Sequence, residues 1–480
     1  MVKLNNNLRI AKLSAIFVAA ILAFFVFYGA AFKETSHAAS AGPSPSRTGA
    51  PGESNCTACH NEYALNSGSG NVRITGLPAN YTPNQRIPVT VTVNQQGQTV
   101  YGFQTTSLDA GNRQAGDYIL PTQTPTRTQM RSGLVGGNTR RYVGHTVDGI
   151  VPTVFDKNSW TFTWQAPATR RGKVTFYAAG NAANSDGGTG GDYIYTSNVS
   201  VCSGSVQSNF DGDGKSDITV FRPSSGTWFS LNSSNSSFIE TRFGQNGDKP
   251  VAADFDGDGK NDVAVFRPST GVWFIQKSSD GSFVATQFGQ NGDAPLAGDF
   301  NGDGKSDLVI FRPSNGTWYI YDLVTNGFSV QQFGQNGDKS VSGDFDGDGK
   351  RDYAVFRPTD GTWYVLQSSD GKFIGTQFGI STDKPSSGDF DGDGKNDLAV
   401  FRPSTGVWFI KKSSDGSFIT TQFGQNGDEP APNDFDGDCK TDLAVYRNGV
   451  WYVLNSTDSS LRVEQFGLSG DVPVSIQLNQ

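Results

Sequence analysis

Three hydrophobic patterns divide the 480-residue chain. The first is an apolar run over residues 13–32, preceded by Lys3, Arg9 and Lys12. Positive charge followed by an apolar core is the layout of an export signal, and Ser36-His37-Ala38 offers a small-x-small cleavage site, with Ala38-Ala39 close behind. Left uncleaved, a run of this length would also anchor the chain in a bilayer. The second pattern is strict alternation, as in Val89-Thr90-Val91-Thr92-Val93 and Trp160-Thr161-Phe162-Thr163-Trp164. Such alternation predicts strands with one face buried. Asn71-Val72-Arg73-Ile74 and Lys173-Val174-Thr175-Phe176-Tyr177 read the same way. Seven or so strands of this kind, separated by polar loops, predict an immunoglobulin-like β-sandwich over residues 71–202. Residues 39–70, between signal and sandwich, are rich in Ser, Gly, Pro and Asn without periodicity and read as a flexible tether.

The third pattern is a repeat. From Asn209 onward, short runs such as Val263-Ala264-Val265-Phe266 and Val272-Trp273-Phe274-Ile275 recur at a fixed spacing, each unit opening on an acidic loop. The loops begin at Asn209, Asp254, Asp299, Asp344, Asp389 and Asp434, a period of 45 residues. Each unit holds four short strands, and four strands per ~40–45 residues is the layout of a propeller blade. After its Gln465-Phe466-Gly467 the last unit continues through Gly470-Asp471-Val472-Pro473-Val474, the start of a further first strand. That strand would complete the first blade and close the ring. The expectation is therefore an all-β protein with a propeller over residues 203–480, six blades being favoured and seven possible.

The loops carry the first candidate chemistry. Asp254, Asp256, Asp258 and Asp262 occupy positions 1, 3, 5 and 9, with Gly259 at the sharp turn and the Lys260 carbonyl at position 7. Ca²⁺ takes six to eight oxygens, and one loop of alternating carboxylates supplies most of them. The set recurs as Asp344, Asp346, Asp348 and Asp352, and as Asp389, Asp391, Asp393 and Asp397. Asparagine replaces one aspartate in Asn209, Asp211, Asp213 and Asp217, and in Asp299, Asn301, Asp303 and Asp307. The sixth loop keeps Asp434, Asp436, Asp438 and Asp442 but has Cys439 in place of the glycine, which makes it the site most exposed to strain. The alternative is a set of Asx-turns with solvated acids.

These DxDxDGxxD loops, with the Phe-Gly before each unit and the period, resemble the FG-GAP/VCBS repeats of integrin-α-like propellers. The resemblance implies a calcium-loaded propeller that mediates adhesion or ligand binding, or accompanies an enzyme. The stretches Gly102-Phe103-Gln104, Gly144-His145-Thr146, Trp164-Gln165-Ala166-Pro167 and the segment from Val174 to Asn184 resemble the Reeler-type domain and its bacterial choice-of-anchor V relatives. That implies a secreted sandwich of interaction type.

Tryptophans at 228, 273, 318, 363, 408 and 451 fall in register, and packing between blades is preferred over a ring of sugar-stacking platforms. Arg222, Arg267, Arg312, Arg357, Arg402 and Arg447 also recur, and are read as structural ion pairs or carbonyl clamps.

The second candidate chemistry is Cys56-Thr57-Ala58-Cys59-His60. In an exported chain this is the attachment motif of a c-type haem, with two thioether cysteines and an iron-ligating histidine. A disulfide loop and a partial zinc site are the alternatives. For a second axial position the mature chain offers His145, Met130 or an open site. Cys202 and Cys439 would become neighbours on ring closure and are expected to form a disulfide.

Composition narrows the function. A net charge of −8 offers no basic surface for nucleic acid. With so few histidines and no Gly-x-Ser-x-Gly elbow, a hydrolase has little to work with. The expectation is an exported, non-catalytic binding or adhesion protein recognising an extracellular protein or polysaccharide. The alternatives are an electron-transfer protein whose haem meets a redox partner, and a polysaccharide-active enzyme with an accessory propeller. Membrane association is expected only if the signal stays attached.

Overall fold

The computed structural model describes residues 40–152, 154–204 and 207–475, so the export-signal reading lies outside the described residues. Ten strands build the first domain: β1 (Asn71–Thr75), β2 (Asn80–Tyr81), β3 (Arg86–Asn94), β4 (Val100–Asp109) and β5 (Asp117–Ile119). They are followed by β6 (Thr128–Val135), β7 (Asn138–His145), β8 (Lys157–Gln165), β9 (Val174–Ala183) and β10 (Tyr193–Ser203). One sheet runs β1-β3-β8-β5 and the other β2-β10-β9-β4-β7-β6. The alternation of the sequence sets which side chains face inward. In β3 and β8, Val89 lies opposite Phe162 and Val91 opposite Trp160, all buried. They pack with Phe103, Val143, Phe176 and Ala178 of the second sheet into one core. Burial alone would strand the two indole N–H groups, so each finds a carbonyl: Trp160 donates to Gly149 at 2.9 Å and Trp164 to Ala115 at 3.0 Å.

The expected flexible tether is corrected by the structure. From Ala41 to His60 the chain lies against the six-stranded sheet. Arg47 N–H donates to Gln104, and Gln104 in turn donates to the Ser44 carbonyl. The anchor is Glu53, which accepts from Arg140 at 2.6 Å, Tyr142 at 2.8 Å and Thr48 at 2.6 Å. The side chains of Glu53 and Arg140 are 0% and 3% exposed. Low-complexity composition hid this, because a segment that borrows its partners from another element needs no periodicity of its own.

The second domain consists of six four-stranded sheets. In five of them the four strands are consecutive. In the first, the strand at Val472–Pro473 pairs with Ile218–Arg222 from the other end of the repeat array. Val474 N–H donates to Thr219 O, and Ser208 Oγ to Val474 O, so the ring is closed by its own C-terminus. The six repeated tryptophans are buried between blades, as expected, and four donate their indole N–H to the carbonyl of the Phe-Gly phenylalanine, for example Trp273 to Phe288. Each repeated arginine forms a two-point ion pair with a buried aspartate four residues past the Phe-Gly, Arg267 with Asp248 at 2.8 Å being typical. The same guanidinium lies over an aromatic ring, 4.4 Å from the Phe274 centroid. Arg222 takes Asp471, so this pair too is completed only by ring closure.

Replacing Glu53 by Ala leaves Arg140 buried without its partner, and the expected cost is about 3–5 kcal/mol. Chemical unfolding of the sandwich, followed by tryptophan fluorescence, measures it; an effect below 1 kcal/mol would mean the segment is not anchored through this residue.

Candidate functional site

Each acidic loop leads into the second strand of its blade and folds as a nest of backbone N–H groups around its position-1 side chain. In the second blade Asp254 accepts from Gly257 N–H at 2.6 Å and Gly259 N–H at 2.9 Å. Gly259 has φ +89°, where a Cβ is strained, which is why glycine stands there. Cys439, in the equivalent place, adopts φ +72°, and its N–H still reaches Asp434 at 2.9 Å. The expected weakness of the sixth loop is therefore absent from its shape: the bond to Cys202 holds the strained residue in place.

Neighbouring loops are tied to each other. The residue at position 8 of each loop donates its N–H to the position-1 carbonyl of the preceding one, as Asn261 does to Asn209 and Ser306 to Asp254 at 2.8 Å. Ser216 closes this circle on Asp434 at 2.7 Å. The loops thus form one continuous ring on one face of the propeller.

The structure divides the four acidic positions. Position 9 is turned into the blade. Asp262 accepts from Phe255 N–H at 2.8 Å and Ser278 N–H at 2.6 Å, joining the loop to the hairpin between the third and fourth strands. Burial pushes these carboxylates up, with neighbouring aspartates adding to it: to about 6 at Asp217, Asp262 and Asp442, and to about 7 at Asp307, Asp352 and Asp397. Asp434 at position 1 is likewise raised to about 7, first by burial and then by Asp442 and Asp438. Positions 3 and 5 are more open and accept from serine hydroxyls, Ser279 to Asp256 and Ser278 to Asp258. Those serines recur in Ser368-Ser369 and Ser413-Ser414 and do the same work there. Sequence reading passed over them although they share the period.

Carboxylate oxygens converge within 4.8 Å of one another in four loops: Asp254, Asp256 and Asp262; Asp344, Asp346 and Asp348; Asp389, Asp391 and Asp397; Asp434, Asp436 and Asp442. Asp258, Asp352, Asp393 and Asp438 stand outside these groups. Among the described residues the two asparagine-bearing loops assemble no such cluster. Asn301 explains one of them, since its amide donates inward to Asp307 at 3.2 Å.

The sandwich sits on this acidic face. Arg170, from the turn between β8 and β9, donates through its backbone N–H to Gly347 O, and its Nε lies 3.0 Å from Asp344 Oδ2, an ion-pair contact outside hydrogen-bond alignment. The disulfide between Cys202, at the end of β10, and Cys439 makes the contact covalent, as the ring-closure reading expected.

The other predicted site lies on the far side of the sandwich. A single turn from Cys56 to His60, with His60 N–H donating to Cys56 O at 3.0 Å, puts Cys56, Cys59 and His60 on one face. All three line an open cleft of about 150 Å³ whose walls include Pro43, Val100, Phe103 and Ile150. His60 Nδ1 lies 2.6 Å from Asp192 Oδ2, and Asp192 is 1% exposed. A carboxylate there accepts from Nδ1–H and so fixes the tautomer whose acceptor is Nε2, the arrangement found behind metal-bound histidines. His145, named from the sequence as one candidate partner of this motif, also lines the cleft. Met130 does not: it stands on β6, 44% exposed.

Cys56 and Cys59 are not bonded to each other. Burial pushes the Cys56 thiol up to about 12, so it is no reactive thiolate. A small ion such as zinc needs its ligand atoms gathered at ~2.0–2.3 Å from one point, yet among the described residues no three of these Cys and His atoms lie within 4.8 Å of one another. They are spaced instead around the walls of an apolar cleft. Asn181 Oδ1 is buried in the cleft wall without a hydrogen-bond partner.

Residues 209–265, 254–310 and 389–445 match the FG-GAP-like repeat. No curated protein matches the chain. Among solved structures, the human F-spondin reeler domain is 16% identical, with 30% of this chain and 95% of that one covered and a TM-score of 0.20. An auxiliary nutrient binding protein from Bacteroides ovatus is 12% identical over 85% of this chain and 98% of its own, with a TM-score of 0.34. The protein is thus an all-β chain with FG-GAP-like repeats whose aspartate clusters are able to hold a metal ion.

Replacing Arg170 by Ala removes the cation beside a fully buried carboxylate. In chelator, unfolding free energy is expected to fall by about 3–5 kcal/mol, and calcium is expected to restore more of it than in the parent. A variant as stable as the parent in chelator would mean that the disulfide alone holds the domains together.

Proposed function

We propose that the protein is an exported, non-catalytic adhesion or ligand-binding protein with a calcium-loaded propeller and one covalent c-type haem on its sandwich. The observation that carries the calcium reading is the ring of desolvated carboxylates. Asp389 and Asp434 at position 1 and the buried position-9 aspartates are raised because burial and mutual repulsion disfavour their charge. A divalent cation bound by the ionised loop removes that penalty. The face it organises is already taken by the sandwich, which leaves the opposite face and the blade rims for an extracellular protein or polysaccharide. A disulfide and the FG-GAP-like repeats support a place outside the cytoplasm. Among the described residues no helix is long and apolar enough to cross a membrane.

In the cleft, Cys56 and Cys59 would hold the haem as thioethers and His60 would ligate its iron, oriented by Asp192. Such a group supplies reversible one-electron chemistry. The open mouth of the cleft favours a second reading, an electron-transfer protein that meets a redox partner there and docks by its propeller. A polysaccharide-active enzyme gains no support, since the aspartates are engaged by the loops.

The pH dependence follows in sign. Carboxylates raised to about 6 to 7 hold protons in the folded chain that the unfolded chain has already lost, from about pH 4 to pH 7. Stability in chelator is therefore expected to fall as pH rises through that window. With calcium the trend reverses, each loaded site adding about 2.7 kcal/mol at 100 times its Kd. Thermal melts at pH 4.5 and 7.5, with and without calcium, measure both; a calcium-independent melt would sink the reading. Calorimetry should count four sites, from the four converging clusters, with the loops at Asn209 and Asp299 weaker.

A further inference from the structure

Building on the ligand-binding reading above, we propose that the groove between the first and second blades is a binding site for a neutral sugar unit of a glycan. The six blades meet one another through equivalent residues, so the contacts are open to comparison. Where the second blade meets the third, Ile275 packs with Leu308 and Tyr321. Where the last meets the first, Val453 packs with Ile218 and Leu231. Between the first and second blades the same three places hold Ser230, Val263 and Gln276. At the other five contacts the place of Ser230 is held by isoleucine or valine, and that of Val263 by leucine, isoleucine or tyrosine. The place of Gln276 is leucine or tyrosine in four of them and Lys411 in the fifth. The three departures meet and leave a groove of about 480 Å³, within the range of small-molecule sites, roughly 300–1,000 Å³. Taking apolar side chains out of a packed contact costs stability, and such a break in an otherwise consistent repeat is expected where a site is built.

The groove has two kinds of wall. Phe210, Trp228, Ile239 and Val263 give apolar surface, and Ile239 is 44% exposed. Ser230, Asn232, Thr241 and Gln276 bring hydroxyls and amides. Ser230 Oγ is 2.8 Å from Thr219 Oγ1, a polar cross-strand pair where the second blade has Ala264 and Ile275. Asn232 Oδ1 is buried without a hydrogen-bond partner. A pyranose presents C–H faces and a rim of hydroxyls that both donate and accept. Amides and hydroxyls answer both roles, whereas a carboxylate only accepts and an ammonium only donates. The charges of the acidic loops belong to the common frame. Asp211 accepts from Ser234 Oγ at 2.6 Å and Ser234 N–H at 3.1 Å. The Lys260 stem lies across Gly212, as Lys305 does across Gly257 in the next loop. Lys277 remains at the groove, which makes an acidic sugar the competing occupant. Ile239 and Thr241 stand on the outermost strand, Phe238–Arg242, so the groove lies on the blade rim that the sandwich leaves open.

The test uses the full chain and saturation-transfer difference NMR. The probes are methyl glucoside, methyl galactoside and methyl mannoside at millimolar concentration, with glucuronate as the acidic probe. The parent should give a transfer signal with at least one of the neutral glycosides. Thr219→Ala, Ser230→Ile and Gln276→Tyr, combined, install the residues that the next contact carries at these places, Ala264, Ile275 and Tyr321. This filled variant should melt no lower than the parent and lose the transfer signal. Neutral glycosides that bind parent and filled variant alike overturn the site while leaving the ligand-binding reading intact. A parent silent with every probe overturns the sugar assignment, and the ligand-binding reading then rests on protein ligands. A parent that prefers glucuronate overturns the neutral class. Should the filled variant fold poorly, the half-buried Gln276 decides through Gln276→Ala, which should weaken glycoside binding about fivefold, the worth of one hydrogen bond; an unchanged affinity counts against the groove.

Discussion

The propeller depends on a circle of backbone hydrogen bonds between acidic loops, and that circle exists only because every loop is the same shape. Each loop spends its position-1 side chain, a carboxylate in five and the Asn209 amide in the first, on its own N–H groups, which leaves the position-1 carbonyl to accept from the next loop. A repeat of one fixed length is therefore more than a copying habit: a loop one residue longer would take its position-8 donor out of reach. The same logic accounts for the last blade, where a disulfide-bonded cysteine holds a conformation that glycine adopts elsewhere.

The carboxylates that shape the loops also burden them. Position 9 is buried in every blade and bonded through both oxygens to backbone donors in most, so it cannot be given up. What remains is charge without water around it, raised toward neutrality in the absence of a cation. Arg170 meets part of this burden at Asp344, and there the sandwich and the propeller act as one electrostatic unit. The domain contact and the acidic ring are thus not separate features, since the arginine stands where neutralising charge is most needed.

The cleft has a different origin. Its parts come from the segment before the sandwich and from β4, β7 and β9, and they meet because Glu53 and its buried partners pin the segment to the sheet. Asn181 of β9 and Asp192, just before β10, then hold His60 from the other side of the cleft. A metal-binding pattern in sequence names its first ligands and is silent about the groups that orient them, because those are chosen by adjacency across strands.

What the residues settled unaided is the periodic part of the protein. Five equal spacings between six loops, an alternation of period two and a surplus first strand after Gly467 favour six closed blades and a sandwich, because strand pairing and ring closure depend on length and pattern. The burial of the tryptophans and the arginine–aspartate pairs follow from the same register. Only the tertiary structure decided that residues 41–60 are an integral layer, that four loops and not six bring their carboxylates together, and that His145 faces the Cys56-Cys59-His60 turn. Each of these rests on contacts between segments far apart in the chain, and no local pattern encodes such contacts.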